Sequence, residues 1–113
     1  MKELKAIIQP FMVSKVVDAL NKIPHFPGLT MTKVQEFGRE KGEGSHHRIS
    51  EDLIDYVPKV KIGIIVNDDM ADEVLKTIME NVHTGNRGGG KIFIYDVMNA
   101  IRIRTGESGE AAV

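Results

Sequence analysis

Residues 84–91, Thr84-Gly85-Asn86-Arg87-Gly88-Gly89-Gly90-Lys91, hold four glycines within six positions and end on a lysine. Glycine loses more backbone freedom on folding than any other residue, so such a cluster is costly in a small domain. It makes sense if backbone N–H groups must converge on an anion, because side chains would block that approach. Lys91 adds a point charge suited to phosphate. Gly85 alone would also fit a helix cap running into a tight turn. The string as a whole reads as a phosphate cradle, but not as a Walker A loop. Gly85, Gly90 and Lys91 fit the first part of that motif, yet Ile92 stands where a hydroxyl should bind magnesium. The apolar run 92–95 then reads as a strand, whereas a P-loop opens a helix.

A second basic element is Arg102-Ile103-Arg104. In an extended chain residues i and i+2 share a face, so both guanidiniums can address one anion, and two Arg suit bidentate phosphate recognition. Taken alone the pair also fits two solvated strand charges; with the glycine-rich loop and Lys91 it points to a polyphosphate site. Arg39 and Lys41 are placed to complete it. His46 and His47 sit among acidic residues and are the candidate metal ligands. Adjacent residues of an extended chain point apart, however, and no H-x-x-x-H spacing is present. His25, between prolines, and His83, at a helix end, read as structural. No serine has an elbow or triad context, so catalysis is the weaker class of function.

These residues must be positioned by a chain of 113 residues, enough for one domain with a modest core. A net charge of −1 leaves no global field for nucleic acid or a membrane surface, so an anion site must be local. Aromatic residues are 5% with no Trp, which argues against a base-stacking platform. Absence of Cys excludes disulfides and thiolate metal sites. No signal peptide or membrane-length apolar span is evident, so a cytoplasmic protein without membrane insertion is expected.

Residues 4–8 predict a strand. Val13, Val16, Val17 and Leu20 predict a helix, ended by Pro24, Pro27 and Gly28. Residues 29–37 predict a second strand, and the alternation of Val60, Ile62, Ile64 and Val66 a third. Asp68 and Asp69 are candidate N-caps for a second helix with Val74, Leu75, Ile78, Met79 and Val82 on its buried face. Residues 91–97 predict a fourth strand, 101–104 a short fifth, and the residues from Gly106 a mobile tail. Between the second and third strands, 38–56 is polar, aperiodic and too long for a hairpin turn, as functional loops are. The order β-α-β-β-α-β is ferredoxin-like: an α+β fold with an antiparallel sheet and two helices on one face. Ile7, Ile65 and Phe93 would leave the other face partly apolar, which predicts an oligomer.

The chain resembles the PII signal-transduction proteins along nearly its full length. The matching stretches are Ala6-Ile7-Ile8-Gln9-Pro10-Phe11, Phe37-Gly38-Arg39-Glu40-Lys41-Gly42, Pro58-Lys59-Val60-Lys61-Ile62, Thr84-Gly85 with 88–93, and Arg102-Ile103-Arg104-Thr105-Gly106-Glu107. The resemblance implies a single domain over 1–113. It would carry a T-loop at 38–56, a B-loop at 84–91 and a C-terminal segment at 102–113. It implies a homotrimer binding ATP or ADP between subunits, often with 2-oxoglutarate. The T-loop would engage a membrane transporter or metabolic enzyme, in nitrogen regulation. By motif, Gly88, Gly89, Gly90 and Lys91 would lie at the phosphates, with Arg102 and Arg104 from a neighbouring subunit. Gly38, Arg39 and Glu40 would approach from the T-loop root, and Ile7 and Ile65 would lie beside the nucleoside. Lys59 would match the lysine that pairs with a 2-oxoglutarate carboxylate.

The departures are specific. Glu40 replaces a Gln that binds magnesium beside 2-oxoglutarate; a carboxylate can hold magnesium, but its charge opposes the dianion. Gly89 replaces an Asp, Gln9 a Lys and Gly63 an acidic residue. Asp52 replaces the tyrosine that many members uridylylate, leaving Ser50 as the candidate modification site. Three functions compete. The first is a nucleotide-sensing regulator with no enzymatic activity. The second is a divergent PII-like sensor of metal or bicarbonate status, linked to metal efflux or carbon transport. The third is an acylphosphatase-like hydrolase.

Overall fold

The computed structural model describes residues 1–37, 56–82 and 90–113. Strand β1 (Lys2–Ile8) leads through a 3-10 turn, Pro10–Met12, into helix α1 (Val13–Asn21). Pro10 suits that entry because the first N–H groups of a helix have no intrahelical acceptor to lose. Strands β2 (Thr30–Glu36) and β3 (Val57–Val66), helix α2 (Asp68–Val82) and strand β4 (Lys91–Asp96) follow. The strands lie in the order β2-β3-β1-β4, and every neighbouring pair is antiparallel. This is the expected ferredoxin-like architecture.

Alternation divides the sheet cleanly. Leu4, Ala6 and Ile8 of β1 stand opposite Ile64, Ile62 and Val60 of β3 on the inner face. Val16 and Leu20 of α1 and Val74 and Ile78 of α2 close over them, and all are buried. Burying each of these Val, Leu and Ile side chains contributes about 1.5–3 kcal/mol, and the Ala6 methyl less. Pro58 is tolerated within β3 because β1 first pairs with that strand at Val60, so only β2 flanks Pro58.

Three local expectations are corrected. Residues 101–104 do not form a fifth strand: Ile101 makes one bridge to Ser108, and the chain turns between them. The Arg102 carbonyl accepts from Gly106 N at 2.7 Å, and Arg102 N donates to the Glu107 carbonyl at 2.8 Å. Gly106 has φ 77°, which an L side chain rarely adopts, so its position favours a turn over an extended run. The residues beyond it are not a loose tail. Gly109 N donates to the Ala100 carbonyl at 3.0 Å and to Asn99 Oδ1 at 2.9 Å, opening a 3-10 turn over Gly109–Ala112. Finally, Asp68 and Asp69 lie within the first turn of α2 rather than before it, and Asn67 precedes them. Asp68 instead meets the Met1 amino group at 2.9 Å, which holds its carboxyl below the usual range.

Candidate functional site

The outer face of the sheet collects the side chains that the inner face rejects. One row across it runs Lys61, Ile7, Lys91, from β3 through β1 to β4. Lys59 shares that face two residues along β3. Gly90 enters this row from the side: a Cβ there would lie 2.2 Å from the Ile7 carbonyl oxygen, and its φ is 94°. Both facts demand glycine. The backbone before Lys91 is therefore pressed onto β1 beside three lysines and an apolar side chain.

The next rows are mixed. Lys5 lies opposite Gly63 and Phe93, and Glu3 opposite Ile65 and Tyr95. Lys5 Nζ sits 4.8 Å from the Tyr95 ring centroid, and its contact with Tyr95 raises its pKa above the ordinary lysine value. Around Ile65 a cleft of about 340 Å³ opens, lined also by Glu3, Gly28, Thr30, Gly63 and Val113. Thr30 Oγ1 donates to the Gly63 carbonyl at 3.4 Å. Such a wall, mainly apolar with a few convergent polar groups, is what small planar ligands use.

Lys59 is only 3% exposed, with its Nζ 4.0 Å from Glu36 Oε1. It also borders a cleft of about 470 Å³ at the β2 edge with Pro10, Lys33 and Pro58. Arg102 sits on the C-terminal turn. Its Nη1 approaches Glu107 Oε1 and its Nη2 the Ala111 carbonyl, both at 3.4 Å. Arg104 is exposed on the same turn.

The structure thus joins Ile7, Gly90 and Lys91, places Ile65 in the adjoining cleft on the same face, and keeps Lys59 on the Lys61 side. Arg102 and Arg104 share no described hydrogen bond with that cluster within one chain. Gly38, Arg39, Glu40, His46, His47, Ser50, Gly88 and Gly89 lie outside the described residues. Among the described residues no His and acidic side chains gather as a metal site. Lys61 is the lysine that motif reading missed, although its i+2 relation to Lys59 in a recognised strand already put both on one face.

An open ferredoxin-like sheet with a backbone glycine pressed onto β1 and a row of lysines on its uncovered face defines an α+β domain of ferredoxin-like class. The sequence matches the family model "Nitrogen regulatory protein P-II" over residues 1–107, and the chain belongs to that family. It is 45% identical to Nitrogen regulatory protein P-II of Pasteurella multocida (strain Pm70). It is 46% identical to the P-II protein of Klebsiella oxytoca and to Nitrogen regulatory protein P-II 1 of Escherichia coli (strain K12). Each match covers 100% of both chains.

Proposed function

We propose that this chain is a nucleotide-sensing regulator with no chemistry of its own. It binds ATP or ADP between the subunits of a homotrimer. It controls a membrane transporter or metabolic enzyme in the cytoplasm through residues 38–56, in keeping with the nitrogen-regulatory name of its family. One observation carries the reading: the Gly90 backbone lies on the Ile7 carbonyl, with Lys61 and Lys91 flanking Ile7. Phosphates placed there meet backbone donors and two ammonium groups. From Ile7 to Glu3, at the cleft, is four residues of strand, about 13 Å, a span that separates phosphates from base in a nucleotide.

The remaining charge comes from Arg102 and Arg104 of a neighbouring subunit, in keeping with the fact that within one chain Arg102 is engaged with Glu107 and Ala111 instead. Arg102 would exchange its long contacts to Glu107 and Ala111 for phosphate oxygens. Magnesium, where used, would be held by the phosphates and the Glu40 carboxylate. A dicarboxylate such as 2-oxoglutarate is disfavoured, because Lys59 already faces Glu36 and Glu40 adds a second carboxylate.

Calorimetric titration of the Arg102→Ala/Arg104→Ala chain tests the reading. Charge-assisted hydrogen bonds contribute about 1.5–3 kcal/mol each, so affinity for ATP and ADP should fall by about 100-fold or more. Unchanged affinity would remove both arginines from the site.

A further inference from the structure

The cleft beside Ile65 carries a carboxylate that the phosphate-binding argument does not use. Glu3 lies on the outer face opposite Ile65, and it leans towards Gly63 on the neighbouring strand. A Cβ on Gly63 would come within 3.4 Å of Glu3 Oε2 and 3.2 Å of Thr30 Oγ1. Both polar groups therefore converge over the bare glycine, in a cleft whose other walls are mainly aliphatic or backbone. Among the described residues Glu3 forms no ion pair. Lys5, the cation on the same face of the strand, feels the Glu3 charge, but its main contact is with Tyr95 and it forms no ion pair with Glu3 among the described residues. An ionised carboxylate can only accept hydrogen bonds. It is half-buried beside the Thr30 hydroxyl, which donates to the Gly63 carbonyl and keeps its lone pairs to accept.

That chemistry fits the edge of a heteroaromatic ring bearing an exocyclic amino group. A ring with a carbonyl at the same edge would bring two acceptors face to face and leave both without a donor. Gly63 matters as space: it gives the ring a flat floor and lets the carboxylate reach it. We propose that Glu3 is the residue that sets base specificity in this cleft, selecting a 6-amino purine over a 6-oxo purine. The proposal rests on the nucleotide reading above and adds the residue that discriminates between bases.

The test is calorimetric titration of ATP and of ITP, which differ at that edge, into the unaltered chain and into Glu3→Ala and Glu3→Gln. The unaltered chain should prefer ATP by about 10-fold or more, the worth of one hydrogen bond to a charged group. Glu3→Ala should bring the two affinities close together, mainly by loss of ATP. Glu3→Gln should level them by gain of ITP, because its amide can donate to the oxo group. Thermal unfolding confirms that the variants fold, as expected for a partly exposed strand position.

An ATP-to-ITP ratio unchanged in both variants overturns the role of Glu3 while leaving nucleotide binding intact. Equal loss of both nucleotides in Glu3→Ala also overturns it, since that marks a merely structural contribution. If neither triphosphate binds the unaltered chain, the nucleotide reading falls and this proposal with it.

Discussion

Gly90 shows how narrowly one residue can be specified. Its φ of 94° and the 2.2 Å approach of a would-be Cβ to the Ile7 carbonyl are separate objections to any side chain. Gly90→Ala must move the backbone off β1 or strain it, at a cost of about 2 kcal/mol or more. Urea unfolding should report that loss, and ATP affinity should fall with it because the donors before Lys91 move. A variant as stable as the parent would show that the chain relaxes here without cost. Lys59 teaches the opposite lesson. From the sequence it is one of two strand lysines, but only the fold shows it to be 3% exposed and facing Glu36.

At the scale of elements, the ladder between β2 and β3 runs without a break to Glu36 and Val57. Just past it the rings of Phe37 and Tyr56 meet, centroids 5.9 Å apart and tilted by 58°. An aromatic pair of this geometry adds about 0.5–1.5 kcal/mol beyond its buried area. Deleting residues 43–52 should therefore leave the sheet intact by circular dichroism; on the proposed function it should also leave the oligomer intact by light scattering while abolishing nucleotide-dependent capture of the partner. A shortened chain that still retrieves its partner would place the binding surface elsewhere.

The elements themselves were legible where periodicity is strong. Val60 to Val66 alternate, and Val13 to Leu20 keep helical spacing, because burial on one face imposes both patterns. Arg102-Ile103-Arg104 misleads for the same reason. It alternates like a strand, but among the described residues no strand pairs with it, and Thr105-Gly106 turns the chain back. Glu3 and Lys61 were silent because their importance depends on register. Which residues oppose Gly63 or Ile7 is fixed by pairing between distant segments, and no local pattern encodes it.

Among the described residues, α1 and α2 cover one face of the sheet and no helix covers the other. The other face leaves Phe93 43%, Tyr95 42% and Ile65 41% exposed. Apolar area of this kind on a small domain calls for a partner surface, and the homotrimer reading supplies one. Phe93→Asp places a charge in that face without touching the buried core. On the homotrimer reading, light scattering should then show the mass falling from trimer towards monomer, and ATP affinity should be lost with the arginines that the proposal takes from a neighbouring subunit. Trimers that persist in the variant would show that the face is not the interface.

The closure of β2 on β3 at Phe37 and Tyr56 has an engineering consequence. Both ends of the intervening segment are fastened by a continuous ladder and a ring contact that belong to the sheet rather than to the segment. A replacement of different length or composition could be spliced between these two anchors without shifting the register of any strand. The domain is in that sense a socket, and the segment held between its two anchors can be exchanged like a cartridge while the core stays unchanged.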